Sequence, residues 1–265
     1  MPSTPPPQWQ LPPGITRGLW EYVNSDAVAY HYDEYFSHNQ LFEFDERIVI
    51  EELSRRKIPA GAVVADLGCG TGRALVTLAG CGYRGLAIDL SQKMLEVVRE
   101  KAEDASLPIQ CIQANWVELD GIADSTANGA ISLFSTLGMI RGKENRAAAL
   151  AHTRRILEPG GPFVLHVHNY WYNLYDPGGP WWVLRTLCRA IFKRDIEAGD
   201  KFFPYRGVPN MFLHVFRLRE LKRDLRRAGF RITRIIALAP QRYRKLRASW
   251  FFGTLRANGW IVVCE

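Results

Sequence analysis

Short apolar runs alternate with longer amphipathic stretches along most of this chain. Buried strands are predicted near 62–66, 84–88, 109–113, 128–134, 162–168, 231–239 and 260–264. Helices are predicted near 45–57, 72–81, 91–104, 143–157 and 217–228. Strands that alternate with helices in this way are typical of an α/β fold with right-handed crossovers between parallel strands.

The loop after the first predicted strand is the most informative stretch. Residues 63–67 are followed by Gly68-Cys69-Gly70-Thr71-Gly72, and the next predicted strand ends at Asp89. A glycine loop after one strand, with a carboxylate at the end of the next, is how a doubly wound sheet binds a nucleoside ligand. Arg73 stands where the dinucleotide fingerprint requires glycine or alanine, which argues against a nicotinamide-dependent oxidoreductase.

With Asp66 before it, this loop resembles motif I of the class I S-adenosylmethionine methyltransferases, often written D-x-G-C-G-T-G. Four later stretches resemble further elements of that family, in the same order. They are Asp89-Leu90-Ser91, Asn115-Trp116, residues 129–138 with Phe134, and Leu157-Glu158-Pro159-Gly160-Gly161. The resemblance is close over residues 61–168 and looser towards the C-terminus.

The resemblance implies a doubly wound, mostly parallel seven-stranded sheet with helices on both faces, an antiparallel last strand and a helical, aromatic cap. It also implies S-adenosylmethionine as cofactor, with Asp89 holding the ribose, Leu90 packing on the adenine and Asn115 replacing an aspartate that often binds the adenine amino group. Trp116 either covers the adenine or packs in the core. The residues implied to bind the cofactor are Asp66, Gly68, Cys69, Gly70, Gly72, Asp89, Leu90, Asn115, Trp116 and Phe134.

The chain divides into a proline-rich leader over 1–14, expected to be disordered, and one domain over 15–265. Within it we expect a cofactor-binding core at about 45–168, a cap insertion at about 169–216, and a C-terminal helix and strands over 217–265. The aromatic stretch 20–44 forms either a lid or a helix packed on the sheet. In the insertion, residues 181–194 have helical spacing. The apolar face predicted for this helix comprises Trp181, Leu184, Leu187, Cys188, Ile191 and Phe192.

Composition adds a location and a charge asymmetry. Five scattered cysteines without a C-x-x-C pair predict reduced thiols in the cytoplasm, with neither disulfides nor a metal site, and no apolar run is long enough for a transmembrane helix. Residues 1–180 carry 15 basic and 21 acidic side chains, whereas residues 181–256 carry 19 and 5. The basic third favours RNA or an anionic membrane surface as a partner, or it is a solvated arginine-rich face.

Three side chains are candidates for catalysis. Methyl transfer is an in-line displacement that needs a general base only when the nucleophile must lose a proton. His168, at the end of the fifth predicted strand, Tyr32 and His214 could each provide one. In a strand His166 points to the same face as His168.

The acceptor class remains open at this stage, with a small molecule methylated on oxygen or nitrogen favoured. RNA is an alternative, since residues 199–204 and 214–221 resemble stretches of wobble-uridine tRNA carboxymethyl methyltransferases. A protein of the same fold that binds RNA or acts as a scaffold without catalysis is a third possibility.

Overall fold

The computed structural model describes residues 6–192 and 196–265, and its main feature is a seven-stranded sheet. The described residues form nine strands, of which all but β6 and β7 belong to this sheet. They are β1 Val63–Leu67, β2 Arg84–Asp89, β3 Ile109–Gln113, β4 Gly129–Ser132, β5 Phe163–His168, β6 Asp200–Tyr205, β7 Val208–His214, β8 Ile232–Ala237 and β9 Gly259–Cys264. The sheet order is β3-β2-β1-β4-β5-β9-β8; β1 to β5 are parallel, and β9 runs antiparallel to both of its neighbours. The predicted fold is therefore confirmed.

Helices connect the strands and pack on the sheet. They are α1 Arg17–Val23, α2 Asp26–Tyr30, α3 Tyr32–Phe36, α4 Gln40–Arg55, α5 Arg73–Gly80, α6 Gln92–Asp104, α7 Thr136–Met139, α8 Lys143–Ile156, α9 Gly179–Phe192, α10 Leu218–Arg227 and α11 Gly253–Arg256, with 3-10 turns at Gln8–Gln10 and Tyr170–Tyr175. The helix predicted at 45–57 begins earlier, because the Asn39 side chain accepts a hydrogen bond from the Leu41 N–H and caps it.

Both faces of the sheet are buried. In β1, Val64 packs into one apolar cluster and Ala65 into another, and in β5 Val164 and Leu165 divide in the same way. Burial on both sides explains why these strands are nearly continuous apolar runs in the sequence.

The described part of the expected leader, residues 6–14, is not detached from the domain. The Pro13 carbonyl accepts a hydrogen bond from Asn115 Nδ2 at 3.0 Å, and the Gly14 carbonyl accepts one from the Arg141 N–H at 2.8 Å. The proline content predicted disorder. The hydrogen-bond partners that hold this segment, Asn115 and Arg141, lie about 100 residues or more away along the chain, so no local sequence pattern indicates the contact. The other leader residues lie outside the described ranges.

The cap insertion contains elements that the sequence did not predict. Its second half is a β6–β7 hairpin separate from the main sheet. Helix α9 begins at Gly179, two residues before the predicted start, and the predicted end at Lys193 and Arg194 lies outside the described residues.

Most of the predicted apolar face of α9 is exposed, with Leu187 partly buried against an apolar cluster, which corrects the interpretation of its periodicity. Val183 and Thr186 are its buried side chains, and Tyr170 Oη is bonded to the Val183 carbonyl and to Thr186 Oγ1. This side is buried because it contacts the 3-10 turn 170–175. The exposed members of the predicted face include Trp181, Leu184, Ile191 and Phe192.

A membrane-spanning helix needs a long apolar stretch, and none of the helices in residues 6–192 and 196–265 has one.

Candidate active site

A cavity lies at the carboxyl ends of β1, β2 and β4, where ligands of open α/β sheets bind. We call it the glycine-loop cavity. Nine of the ten predicted cofactor residues line it: Asp66, Gly68, Cys69, Gly70, Asp89, Leu90, Asn115, Trp116 and Phe134. Gly72 does not, because it caps α5 behind the loop, where an added Cβ would lie 2.8 Å from Val98 Cγ2. Its role is to shape the loop.

The loop depends on glycine for two different reasons. Gly68, Gly70 and Gly72 all have left-handed backbone angles, with φ of 78°, 55° and 73°. A Cβ at Gly68 would lie 2.2 Å from Thr136 Cγ2, so this residue must be small for the loop to pack. A Cβ at Gly70 would meet no protein atom within 4 Å, although Gly70 lines the cavity. At Gly70, therefore, the missing side chain leaves space open to a ligand.

Two carboxyl groups line this cavity, and they differ in their hydrogen-bond partners. Asp89 accepts hydrogen bonds from the Gly70 and Ser91 N–H groups, each at 2.8 Å, so it fixes the loop. Burial nevertheless raises its pKa above the usual value against these bonds. Burial also raises the pKa of Asp66 to about 8, although Arg73 opposes the shift. The Asp66 carboxyl forms no hydrogen bond or ion pair with any described residue and is free for a ligand.

Asn115 and Trp116 are both anchored to protein groups. The Asn115 amide oxygen accepts from the Val117 N–H at 3.2 Å and its amide nitrogen donates to Pro13, so an adenine would share an already engaged side chain. Trp116 donates from Nε1 to Thr153 Oγ1 at 2.9 Å inside the core. Of the two roles considered for Trp116, the structure shows core packing, with part of the side chain at the cavity wall.

The N-terminal helices close over the glycine loop. Asp33 on α3 accepts a hydrogen bond from Thr71 Oγ1 at 2.6 Å and pairs with Lys101 Nζ at 2.5 Å. Tyr32, the neighbouring candidate base, lines the glycine-loop cavity, and burial raises its pKa well above the usual value. Its phenol is therefore protonated near neutral pH and suited to donate a hydrogen bond.

A second cavity adjoins the first, and we call it the His168 cavity. It is lined from β5, the 3-10 turn 170–175, the β6–β7 hairpin and the loop around Arg242. Phe134 and Met139 line both cavities. Its walls are mostly apolar and aromatic, and its polar side chains are His168, Asn169, Asn173, Asp176, Lys201, Arg242 and Asn258, with Tyr172 and Tyr205.

His168 enters this cavity as an uncharged imidazole. Burial lowers its pKa to about 3, with further contributions from Arg242 and Lys201. His166 lies on the same face, with its ring centroid 5.2 Å from that of His168, but it is fully buried. Asn169, next to His168, is structural, because its amide nitrogen donates to the Thr254 and Ala257 carbonyls at 2.7 Å.

His214 lines neither cavity, which corrects its assignment as a candidate base. Its imidazole is bonded through Nδ1 to Asp200 at 2.8 Å and through Nε2 to Glu220 at 3.1 Å. Burial lowers its pKa, but these two hydrogen bonds outweigh burial and raise the pKa above the usual value. His214 is therefore a buried ion-pair partner.

The same cluster contains the spacing of a metal site, which the sequence did not predict. Ligand atoms of Glu197, His214 and Glu220 lie within 4.8 Å of one another. However, Glu197 pairs with Arg146 at 2.6 Å, and both His214 nitrogens are engaged. Within the described residues, Glu197 is therefore balanced by Arg146, and Glu220 by His214.

Sequence reasoning assigned no role to several polar residues of the His168 cavity, among them Lys201, Arg242 and Asn258. Lys201 lies in the recognised 199–204 stretch but was not assigned a role, Arg242 was one of many arginines in the basic third, and Asn258 follows a short loop before the last strand. Only the clustering of loops in the folded chain distinguishes them.

Known proteins share both the sequence features and the fold. A family model described as a methyltransferase domain matches residues 64–161. The chain is 27% identical over 184 residues to an uncharacterized protein of Methanocaldococcus jannaschii, covering 69% of this chain and 62% of that protein. It is 30% identical over 163 residues to the probable tRNA methyltransferase 9B of Homo sapiens, covering 56% of this chain and 32% of that protein. The chain thus spans less than two thirds of the length of these relatives.

The fold is similar to a structure of the Burkholderia thailandensis 1,6-didemethyltoxoflavin-N1-methyltransferase with bound 1,6-didemethyltoxoflavin and S-adenosylhomocysteine. The TM-score is 0.59 at 16% identity, and the match covers 90% of this chain and 83% of that one. Residues 64–161, which include the strands that form the glycine-loop cavity, therefore match a methyltransferase domain, and the seven-stranded sheet has the fold of structures solved for S-adenosylmethionine-dependent methyltransferases.

Proposed function

We propose that this protein transfers a methyl group from S-adenosylmethionine to a small-molecule acceptor in the His168 cavity. The observation that carries the proposal is that Phe134 and Met139 line both cavities, so the two sites adjoin. Adjoining sites for donor and acceptor provide the alignment that an in-line displacement requires.

The glycine-loop cavity fits this cofactor. Gly70 leaves open space against its backbone, and Asp89 is fixed by two N–H groups with lone pairs left for ribose hydroxyls. Leu90 offers an apolar surface to the adenine, and Asp66 is free to bind the amino group at the methionine end. Phe134 then lies between the methyl end and the acceptor.

His168 is the residue that we assign to the acceptor. When bound, S-adenosylmethionine supplies an electrophilic methyl group on its sulfonium. Because the His168 imidazole is uncharged, it can accept a hydrogen bond or a proton from an acceptor O–H or N–H wherever the nucleophile must lose a proton. Phe134 and Phe212 at the cavity wall exclude water from the reacting atoms.

The test is transfer of a labelled methyl group into fractionated cell extract, with RNA, protein, lipid and small-molecule pools counted separately. We expect label in the small-molecule pool. We also expect His168→Ala to lose most of the transfer rate while S-adenosylhomocysteine binds normally. The exposed His38→Ala is the matched control and should transfer at the wild-type rate. Binding of S-adenosylhomocysteine without label in any pool would contradict catalysis and favour a scaffold or RNA-binding role.

RNA is the second candidate acceptor. A groove beside α10 is lined by Arg217, Arg219, Lys222 and Arg223, which can bind phosphates. The loop before α11 exposes Trp250, Phe251 and Phe252, on which bases can stack. The human relative is named as a probable tRNA methyltransferase. Label in the RNA pool that weakens steeply with salt would support this candidate, whereas label in the lipid pool would favour contact with a membrane.

A further inference from the structure

Arg242 places an unpaired positive charge at the wall of the His168 cavity. Its side chain is only partly exposed, and its guanidinium forms no hydrogen bond or ion pair with any described residue. Lys201, the other cation of the cavity, donates to Asn173 Oδ1 at 2.8 Å and pairs with Asp176 at 3.2 Å. Lys201 is thus balanced within the protein, whereas the described residues give Arg242 no counter-charge, so an anionic ligand in this cavity can pair with it.

The backbone holds Arg242 in a strained conformation. Its φ is 68°, in the left-handed region, and its N–H donates to the Ala239 carbonyl at 2.8 Å. For a residue with a side chain this conformation costs about 1 kcal/mol, and such strain is concentrated at functional sites. The neighbouring Arg244 and Arg247 are exposed, so the turn presents Arg242 alone among these three arginines to the cavity.

A second unpartnered group lies in the same cavity. The Asn258 side-chain oxygen is buried and accepts no hydrogen bond from the described residues, although the residue is only 4% exposed. Asn258 precedes Gly259, which is paired with His168 across β5 and β9. A buried acceptor without a donor is uncommon and indicates a hydrogen-bond donor on a ligand.

We propose that the acceptor is a small aromatic acid, whose anionic group binds Arg242, whose reacting O–H or N–H donates to His168, and whose further polar hydrogen, where it has one, donates to the side-chain oxygen of Asn258. This inference rests on the proposed function of the His168 cavity. The planar guanidinium suits a carboxylate, which it can bind through two parallel hydrogen bonds. The aromatic walls suit a ring. The ring side chains that form these walls are Phe134, Tyr172, Phe203, Tyr205 and Phe212.

Binding of the anion would also adjust the base. Arg242 and Lys201 help to keep the pKa of His168 low, after the larger effect of burial. An anion on Arg242 neutralises that charge, so the pKa of His168 rises when the acceptor is in place. A stronger base is thereby produced in the complex in which the proton must be removed.

The experiment measures binding of matched probes to the full chain loaded with S-adenosylhomocysteine. The probes are 4-hydroxybenzoate, 4-hydroxycinnamate and indole-3-acetate, each beside its uncharged amide. We expect the wild type to bind at least one acid about tenfold more tightly than its amide. Arg242→Gln should abolish that preference, Arg242→Lys should retain part of it, and the exposed Arg244→Gln should keep all of it. Thermal unfolding establishes that each variant is folded.

Failure of this inference can be distinguished from failure of the proposed function. If S-adenosylhomocysteine does not bind, the cofactor assignment fails. If it binds, equal affinity for every acid and its amide, or failure of every acid to bind at millimolar concentration, overturns the inference. Equal losses in Arg242→Gln and Arg244→Gln also overturn it, because they would indicate general attraction to a basic surface.

Discussion

Among individual residues, Gly70 gives the sharpest test of the glycine loop. Gly70→Ala adds a methyl group at φ 55° in the open space of the cavity, and we expect it to weaken S-adenosylhomocysteine binding about tenfold or more, measured by calorimetry. Gly61→Ala is the control, since its φ is 80° and an added Cβ also meets nothing, but Gly61 does not line the cavity. Equal affinities in the two variants would contradict a ligand against Gly70.

His166 tests the cost of a buried, unpartnered imidazole. Neither ring nitrogen has a hydrogen-bond partner in the described chain, and burial lowers its pKa well below the usual value. The unfolded chain therefore binds a proton that the folded chain excludes. This difference does not reduce the free energy of unfolding above about pH 6.5, but it reduces it progressively as the pH falls below that value. Between pH 7.5 and 5.0, the free energy of unfolding of the wild type should fall by about 2 kcal/mol more than that of His166→Leu.

Urea unfolding at the two pH values measures this difference. The exposed His38→Leu should keep the wild-type pH dependence. Parallel pH profiles for His166→Leu and the wild type would contradict the assignment of a neutral His166.

Among the elements, α3 holds the glycine loop closed through one carboxylate. Asp33→Ala removes the acceptor of both Thr71 and Lys101, and we expect S-adenosylhomocysteine to dissociate several-fold faster, equivalent to about 1 kcal/mol. Stopped-flow displacement measures the rate. Glu34→Ala, on the same helix but exposed and, among residues 6–192 and 196–265, ion-paired only with His31, should leave it unchanged. A change of the same size in both variants would indicate a general effect on the helix.

Helix α9 shows why periodicity predicts a helix more reliably than its buried face. Apolar residues occupy more than one side of α9, so the sequence is compatible with burial of either side. The choice is made by Tyr170, which bonds to Val183 and Thr186. That partner belongs to a 3-10 turn that periodicity does not identify.

For the whole molecule, His214 connects the cap to the core. Its imidazole joins β7 to Asp200 on β6 and to Glu220 on α10, and all three side chains are largely buried. His214→Leu removes the imidazole from two buried carboxylates, leaving Asp200 with the Glu197 N–H and Glu220 with Arg217, and we expect a loss of about 3 kcal/mol in the free energy of unfolding. The methylation rate per folded molecule should be unchanged. A large loss of that rate in fully folded protein would restore His214 as a catalytic candidate.

The pH dependence of this loss has the opposite sign to that of His166. Because the folded pKa of His214 is raised, its stabilisation is complete below about pH 6.5 and disappears as the pH rises through the folded pKa. The stability gap between the wild type and His214→Leu should therefore narrow in alkaline buffer.

The sequence by itself determined the alternating strands and helices of the sheet and the glycine-loop cavity, whereas the antiparallel last strand was implied by the family resemblance. The alternation and the cavity rest on local signals: strand–loop–helix units, glycines at a fixed spacing and Asp89 at the end of a strand. Nine of ten predicted cofactor residues line one cavity because parallel strands bring their carboxyl ends to the same edge. The glycine-loop contacts themselves remain a proposal.

Only the tertiary structure decided which side chains line the His168 cavity. Asn258 and Arg242 come from separate loops, and each meets His168 through folding of the chain between them. The same holds for His214. Its sequence context suggested a base, but its two ring nitrogens are engaged by Asp200, 14 positions before it, and by Glu220, six positions after it. Charge pairing and burial are properties of packed neighbours, and no local pattern specifies which neighbours will meet.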